Sequence, residues 1–406
     1  MNILLVTDSY PPEIRSASLL MQELSEELNL RSHRVTVITT WPEYNLDQDY
    51  DPSQISEKEI ENGITVIRVK TLPHHNVNYL IRGISQLLMP FQLLFKICKY
   101  RIKPDAIVIY SPPLPLAIIG GWLKHDKIRV ILNVQDLFPQ NAIDLGILKN
   151  SLQIKFFRAL ENFAYHTAHI VTVHSKGNQL AVQQRYPNLT SKFKVLHNWV
   201  DIDKHEKGAT KVDFRKEWGI RQKYVALFAG VMGPSQHLEL LIRVAEEMQD
   251  EMELMFLMVG DGQEKKKLQK MAQEKSLSNV RFESFVSHEK YPDLLSICSI
   301  GLVCLSPMNT TPVVPGKFLG YMAFGLPVAA FLQANSDGHS IIKSAQCGFS
   351  VDSANKDACV QSMRDLFHKK DSFAKLGNNG KNYAINHFSK EACVTQLESM
   401  LENIVT

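Results

Sequence analysis

Two successive series of short apolar runs, each alternating with helical stretches, constrain this chain more than any other feature. In the first series, runs rich in Val, Ile and Leu fall at residues 3–7, 35–39, 65–69, 106–110, 130–134 and 170–173. In the second they fall at 224–229, 254–259, 280–283, 300–304 and 328–331. Continuously apolar strands separated by helices mark parallel sheets buried on both faces, because each crossover returns over a face of the sheet. Two such series predict an α/β protein of two Rossmann-like, doubly wound domains, expected at residues 1–200 and 201–385. A polar stretch at 203–211 follows His197-Asn198-Trp199-Val200-Asp201, so the hinge is expected within residues 198–217. Residues 386–406 are expected to form a C-terminal helix that can cross back to the first domain. Sheets of this kind hold ligands beyond the carboxyl ends of their strands. Two of them joined by one hinge are expected to face each other across a cleft.

Several classes are excluded at this level. With 45% apolar and 21% charged residues, the 406-residue chain can bury a core in each half and is not a disordered polymer. No basic leader with an apolar segment opens it and no run of about 18 apolar residues occurs, so neither a signal peptide nor a membrane span is expected. Its six cysteines contain no CxxC pair and read as free buried thiols of a reducing cytoplasm. Charge is unevenly spread: residues 1–61 hold four Lys/Arg against twelve Asp/Glu, and residues 62–200 hold seventeen against five. A block that basic suggests an anionic surface or ligand. Nucleic acid is not expected, since no aromatic platform or known module interrupts it.

Four loops carry candidate chemistry. Ser16, Ala17 and Ser18 open the first helix, where small side chains and free N–H groups allow a ligand to approach. Gly230 and Gly233 form a glycine turn after the first strand of the second domain, and Gly260 and Gly262 form another after the next strand. Residues 311–328 lead a Pro- and Gly-rich loop into a helix with Lys317 in its first turn, where a cation opposes the helix dipole unless an anion sits beside it. The stretch is no P-loop, because Phe318 follows Lys317. The Asp47, Asp49, Asp51 group and the Asp201, Asp203 pair read as solvated loops, and His74-His75 as an exposed pair, so no metal is expected. Residues 78–103 read as two apolar helices broken at Pro90. Arg82, Lys96, Lys99, Arg101 and Lys103 flank them, a pattern suited to an anionic membrane surface.

Taken in order, these stretches resemble the glycosyltransferase family 4 group of GT-B fold enzymes, in particular the bacterial O-antigen and capsule polysaccharide branch. The resemblance is carried by residues 4–12, His33-Arg34-Val35-Thr36-Val37, Tyr110-Ser111-Pro112-Pro113, Asn133-Val134-Gln135-Asp136-Leu137-Phe138-Pro139, residues 195–201, residues 259–262 and, most specifically, residues 315–328. It implies a retaining transferase that needs no metal or other cofactor. A nucleotide-diphosphate sugar would be held mainly by the second domain and a lipid-linked saccharide acceptor by the first. The protein would be cytoplasmic and peripheral on the inner face of the membrane. Donor contacts would come from Ser16, Ala17, Gly230, Gly233, Gln236, Gly260, Phe285, Val286, Lys317 and Gly320. The family's paired glutamates fall on Pro312 and Gly320, and the Arg and Lys after its glycine turn fall on Val231 and Gln236, which leaves Lys317 as the cation for the diphosphate. The histidine that often precedes Asp136 is Gln135, so Asp136 is the expected catalytic group. A nucleotide-sugar epimerase and a non-catalytic sugar-nucleotide-binding subunit are the alternative readings.

Overall fold

The computed structural model describes residues 1–46, 55–75, 77–124, 128–144, 146–206, 211–308, 312 and 314–404, and they divide into two compact units. The first comprises Met1–Asn198 with Lys390–Thr406, the second Trp199–Ser389.

Eight strands build the sheet of the first unit: β1 Asn2–Val6, β2 Arg34–Thr40, β3 Lys58–Glu61, β4 Ile64–Val69, β5 Ala106–Ser111, β6 Arg129–Val134, β7 Ile170–Val173 and β8 Phe193–Val195. Their order is β3-β4-β2-β1-β5-β6-β7-β8, so the winding reverses between β1 and β5. Neighbours run parallel, except that β3 is antiparallel to β4. That edge strand departs from the all-parallel expectation. Its sequence, KEIE, is too polar to register as a buried strand, and the signal lay in the turn instead. Asn62 and Gly63 join β3 to β4 with φ of 50° and 83°, the two positive values that a two-residue hairpin requires.

The unit's helices before the boundary are α1 Ser16–Leu30, α2 Tyr79–Lys99, α3 Ala117–Leu123, α4 Gln140–Asp144, α5 Ser151–Thr167 and α6 Lys176–Arg185. α2 is one helix running through Pro90, not the expected pair. An internal proline costs about 3 kcal/mol. Met89, Leu93 and Ile97 are buried against the sheet beside it, and three such side chains contribute roughly 1.5–3 kcal/mol each, so packing overrides the break. α2, α3 and α5 share one sheet face, where Met89, Ile119 and Tyr165 join Leu4, Val6, Ile38 and Ile67 in a single core. The helix Lys390–Glu402 completes the unit: Glu398 pairs with Arg31 and accepts from His33 Nε2 at 2.8 Å, and Gln396 Nε2 donates to the Val195 carbonyl at 2.9 Å.

The second unit is a six-stranded sheet of β9 Tyr224–Ala229, β10 Leu254–Val259, β11 Val280–Glu283, β12 Ile300–Cys304, β13 Val328–Leu332 and β14 Gly348–Asp352, all parallel in the order β11-β10-β9-β12-β13-β14. Its reversal lies between β9 and β12. Val225, Leu227 and Val303 enter the core on one face, and Ala226, Phe228 and Leu302 enter the core on the other. This two-sided burial is why the strands read as unbroken apolar runs.

Two sequence expectations change here. Cys98 is exposed and Cys298 half-buried, so only four of the six thiols are buried. Asp201 is buried rather than solvated, and its carboxylate accepts from the Lys204 N–H at the start of a short helix. Asp47, Asp49 and Asp51 lie outside the described residues. No helix among the described residues is long and apolar enough to cross a membrane.

Candidate functional site

In the second unit, the sequence-predicted loops converge at the carboxyl edge of the sheet around the β9–β12 reversal. Gly230 follows β9 with φ 136°, and its N–H donates to the Val259 carbonyl at 2.9 Å. A Cβ at Gly260, φ 140°, would lie 2.0 Å from the Gly230 oxygen, and one at Gly262 would lie 2.4 Å from the Met232 oxygen. The glycines therefore let two strand-end loops pack backbone against backbone. Gly233 has only Val231 Cγ1, at 4.0 Å, near its open side.

Lys317 is the first residue of the helix Lys317–Phe324. The helix is held by Tyr321, whose buried hydroxyl donates to the Leu227 carbonyl at 3.0 Å and accepts from the Ala229 N–H at 3.1 Å. Gly301 in β12 leaves room for that ring, since a Cβ there would sit 2.3 Å from Tyr321 Cγ. Gly325, φ 83°, ends the helix. So anchored, Lys317 Nζ donates to Gln236 Oε1 at 2.9 Å and lies 4.9 Å from the centre of the Phe228 ring. Burial lowers its ammonium to about 8, while Cys304 acts in the opposite sense. Gly230 leaves room beside it, since a Cβ there would meet Lys317 Cε at 2.9 Å, and its φ of 136° is one that favours glycine. Phe285 is exposed just after β11, and Val286 packs on the core next to it. Gly320 faces Tyr291 at ordinary contact distance, 3.5 Å from its would-be Cβ. Sequence reasoning missed Tyr321, Phe228 and Lys265. The Lys265 ammonium donates to the Gly260 and Glu283 carbonyls at 2.8 and 3.0 Å, which places a second cation on strand ends of this edge.

In the first unit, Asp136 follows β6 as an exposed residue, yet the dense protein around it raises its carboxyl above the usual range, opposed by His174. Gln135 beside it is fixed from both ends: its Nε2 donates to Asn133 Oδ1 at 2.6 Å, and its Oε1 accepts from Asn198 Nδ2 at 2.7 Å. His174, just past β7, was not singled out in the sequence. It contacts Asn178 Nδ2 at 3.1 Å, and its carbonyl lies 2.9 Å from His197 Nδ1.

At the β1–β5 reversal, Ser16 and Ala17 begin α1. Arg15 is the residue before the helix, and no side chain caps the helix start. Arg15 Nη1 lies 3.4 Å from Asp8 and 3.5 Å from Glu13, both buried. His74 is buried beside them rather than exposed as expected. It contacts the His75 ring at 4.2 Å, and His75 stacks on Tyr44 at 4.6 Å.

The expected cationic flank of α2 is divided. Lys96 and Lys99 pair with Glu57 at 2.6 and 3.2 Å, and the Lys96 contact, the Tyr100 hydroxyl and the Lys99 contact hold the Glu57 carboxyl down to about 2. Arg101 and Lys103 line a cavity of about 300 Å³ with Arg34 and Lys58, next to the amino ends of β1, β2 and β4. Arg82 is exposed on α2. Five apolar side chains stand out instead: Ile81, Ile84, Leu88, Phe91 and Phe95 are 44, 48, 43, 51 and 67% exposed. Their 3-4-3-4 spacing places them on one stripe of the helix.

Residues 19–199 match the family Glycosyl transferase 4-like domain, and residues 211–383 match Glycosyl transferases group 1. The Escherichia coli K12 protein ascribed to colanic acid biosynthesis as glycosyl transferase WcaI is 27% identical over 340 residues, covering 80% of this chain and 82% of that one. Among solved structures, sucrose-phosphate synthase from Thermosynechococcus elongatus superposes with a TM-score of 0.75 at 16% identity, over 99% of this chain and 98% of the other. Anabaena HepE, solved with UDP and glucose, superposes with a TM-score of 0.71 at 17% identity over the whole of both chains. The lipopolysaccharide glycosyltransferase WaaG superposes with a TM-score of 0.69 at 13% identity, over 99% of this chain and 100% of that one. The two family matches in succession, the two doubly wound sheets and the structural neighbours agree: the chain belongs to the GT-B glycosyltransferases.

Proposed function

We propose that this enzyme transfers a sugar, with retention of configuration, from a nucleotide-diphosphate sugar on the second unit to a lipid-linked saccharide on the first, in cell-surface polysaccharide synthesis. Lys317 carries the donor half of the reading. It is a positively charged side chain, tethered but only half-buried, at the carboxyl edge of a Rossmann-ordered sheet, where such folds hold phosphates. In the reaction the bond from the anomeric carbon to the diphosphate oxygen breaks. A bond to the acceptor hydroxyl oxygen forms on the same face of the sugar, and the hydroxyl proton passes to the departing phosphate. Lys317 and the loop N–H groups stabilise the charge that accumulates on that phosphate. Asp136, close to His174, orients the acceptor. No metal is assigned to the transfer step, since these groups supply the cationic field.

The membrane half rests on the apolar stripe of α2. Trp122 of α3 and Leu152, Phe156 and Phe163 of α5 are also exposed, at 69, 75, 49 and 43%, on the helical layer that α2 belongs to. An apolar surface spread over three adjacent helices suits the headgroup boundary of a bilayer, and an acceptor with its tail in the inner leaflet would then be within reach. The colanic acid and lipopolysaccharide assignments of WcaI and WaaG agree with this pathway class.

A thermal-shift panel of UDP-, GDP-, TDP- and ADP-sugars tests the donor assignment. A cognate donor at a hundredfold excess over its Kd adds about 2.7 kcal/mol of stability, and Lys317→Ala should respond much less than wild type at the same concentration. Equal responses of the two proteins to every donor would reject it.

A further inference from the structure

We propose that Asp8, His74 and His75 bind one divalent transition-metal ion of the zinc class on the first unit. One ligand atom from each lies within 4.8 Å of the others. Asp8 and His74 are only 4 and 3% exposed, and neither Asp8 Oδ1 nor His74 Nε2 has a hydrogen-bond partner among the described residues. Two buried polar atoms left unmatched in one place need a partner that the protein itself does not provide.

The ring orientations suit a cation. His74 Nδ1 lies 3.3 Å from the Leu72 carbonyl, which can only accept, so the ring proton sits on Nδ1 and Nε2 keeps its lone pair. His75 Nε2 lies 3.5 Å from Arg15 Nη1, which can only donate, so this nitrogen too carries a lone pair. Stacking on Tyr44 and contact with His74 hold the His75 ring. Two imidazole nitrogens and one carboxylate oxygen suit zinc and its neighbours with coordination positions left over, whereas calcium and magnesium prefer more oxygens. Bond lengths of roughly 2.1 Å imply donors about 3.4 Å apart, so the 70–75 loop would have to close by little more than about 1 Å.

Arg15 is the competitor. Its Nη1 stands 3.4 Å from Asp8 Oδ2 and 3.5 Å from Glu13 Oε2, so a metal would displace the guanidinium towards Glu13. The ion would tie the segment after β4 to the end of β1. It would shape the unit assigned to the acceptor without entering the transfer step.

The test uses the full chain, stripped with a chelator and titrated calorimetrically with Zn²⁺. Co²⁺ is added separately for its visible spectrum. One Zn²⁺ per chain and the intense absorption of four-coordinate Co²⁺ are expected. His75→Gln, at a half-buried loop position, should weaken binding by at least about tenfold, with circular dichroism and melting unchanged. Arg15→Gln should tighten it, an effect that a purely structural cluster would not produce. His368→Gln, at an exposed histidine, should leave it unchanged. Absence of one-to-one binding, binding indifferent to His75→Gln, or binding weakened by Arg15→Gln would each overturn the proposal.

Discussion

Lys317 Nζ donates to Gln236 Oε1 at 2.9 Å, so the cation assigned to the diphosphate is already oriented by a neutral amide. Gln236 is a neutral amide and adds no charge of its own. Removing Lys317 should therefore cost most of the cationic field. Lys317→Ala is expected to weaken donor binding by about 1.5–3 kcal/mol, measured by calorimetry. Gln236→Ala, which frees the ammonium without removing it, should cost under about 1 kcal/mol.

The same lysine makes binding depend on pH. Its ammonium titrates at about 8 in the folded protein, against 10.5 unperturbed. Donor affinity should hold up to about pH 8 and fall above it as the charge is lost. A bound diphosphate favours the charged form, so the fall begins at the free-protein value and continues up to the higher value of the complex. Calorimetry from pH 7 to 9.5 checks this, and a flat profile would remove Lys317 from the donor site.

Stability should move the opposite way. A half-buried ammonium with a lowered pKa costs the fold a desolvation penalty below pH 8, and that penalty fades between pH 8 and 10.5, where the folded side chain neutralises before the unfolded one. The penalty is at most about 3 kcal/mol, against roughly 1–2 kcal/mol for the lost amide bond and ring contact. Lys317→Met should thus raise the melting temperature at pH 7 while weakening donor binding as Lys317→Ala does, and its advantage should narrow as the pH rises through this window.

Gly260 and Gly233 should respond very differently to alanine. At Gly260 the new Cβ would lie 2.0 Å from a backbone oxygen and φ is 140°, so Gly260→Ala should destabilise by about 3 kcal/mol or more. At Gly233, with open space and a φ of −120°, stability should change by less than about 0.5 kcal/mol. Urea unfolding of both variants compares them.

For the membrane face, the apolar stripe should matter more than the lysines beside it. Leu88→Ser with Phe91→Ser and Phe95→Ser should abolish co-sedimentation with anionic vesicles. Lys96→Gln with Lys99→Gln should change it little, because both ammonium groups already pair with Glu57. The reverse ranking would make the attachment electrostatic.

Much of the architecture was legible in the sequence because parallel strands buried on both faces must be apolar along their length. Residues such as Leu4, Leu227 and Val303 announce themselves without knowledge of their neighbours. Lys317 was legible too, since a cation in a first helical turn contradicts the dipole and calls for a reason. Edge strand β3 was not, because half of its pairing is exposed and its residues are polar. The single helix through Pro90 was hidden as well: local propensity argues for a break, and only the burial of Met89, Leu93 and Ile97 outweighs it. Gln236 beside Lys317, and Tyr321 hydrogen-bonded to β9, are 81 and 92–94 residues from their partners. Asp8 and His74 meet only because β1 and the segment after β4 end at the same edge of one sheet. Burial, unmatched polar atoms and shifted titrations come from such distant juxtapositions. The sequence by itself determined which residue types are available, and the tertiary structure decided which of them share a site.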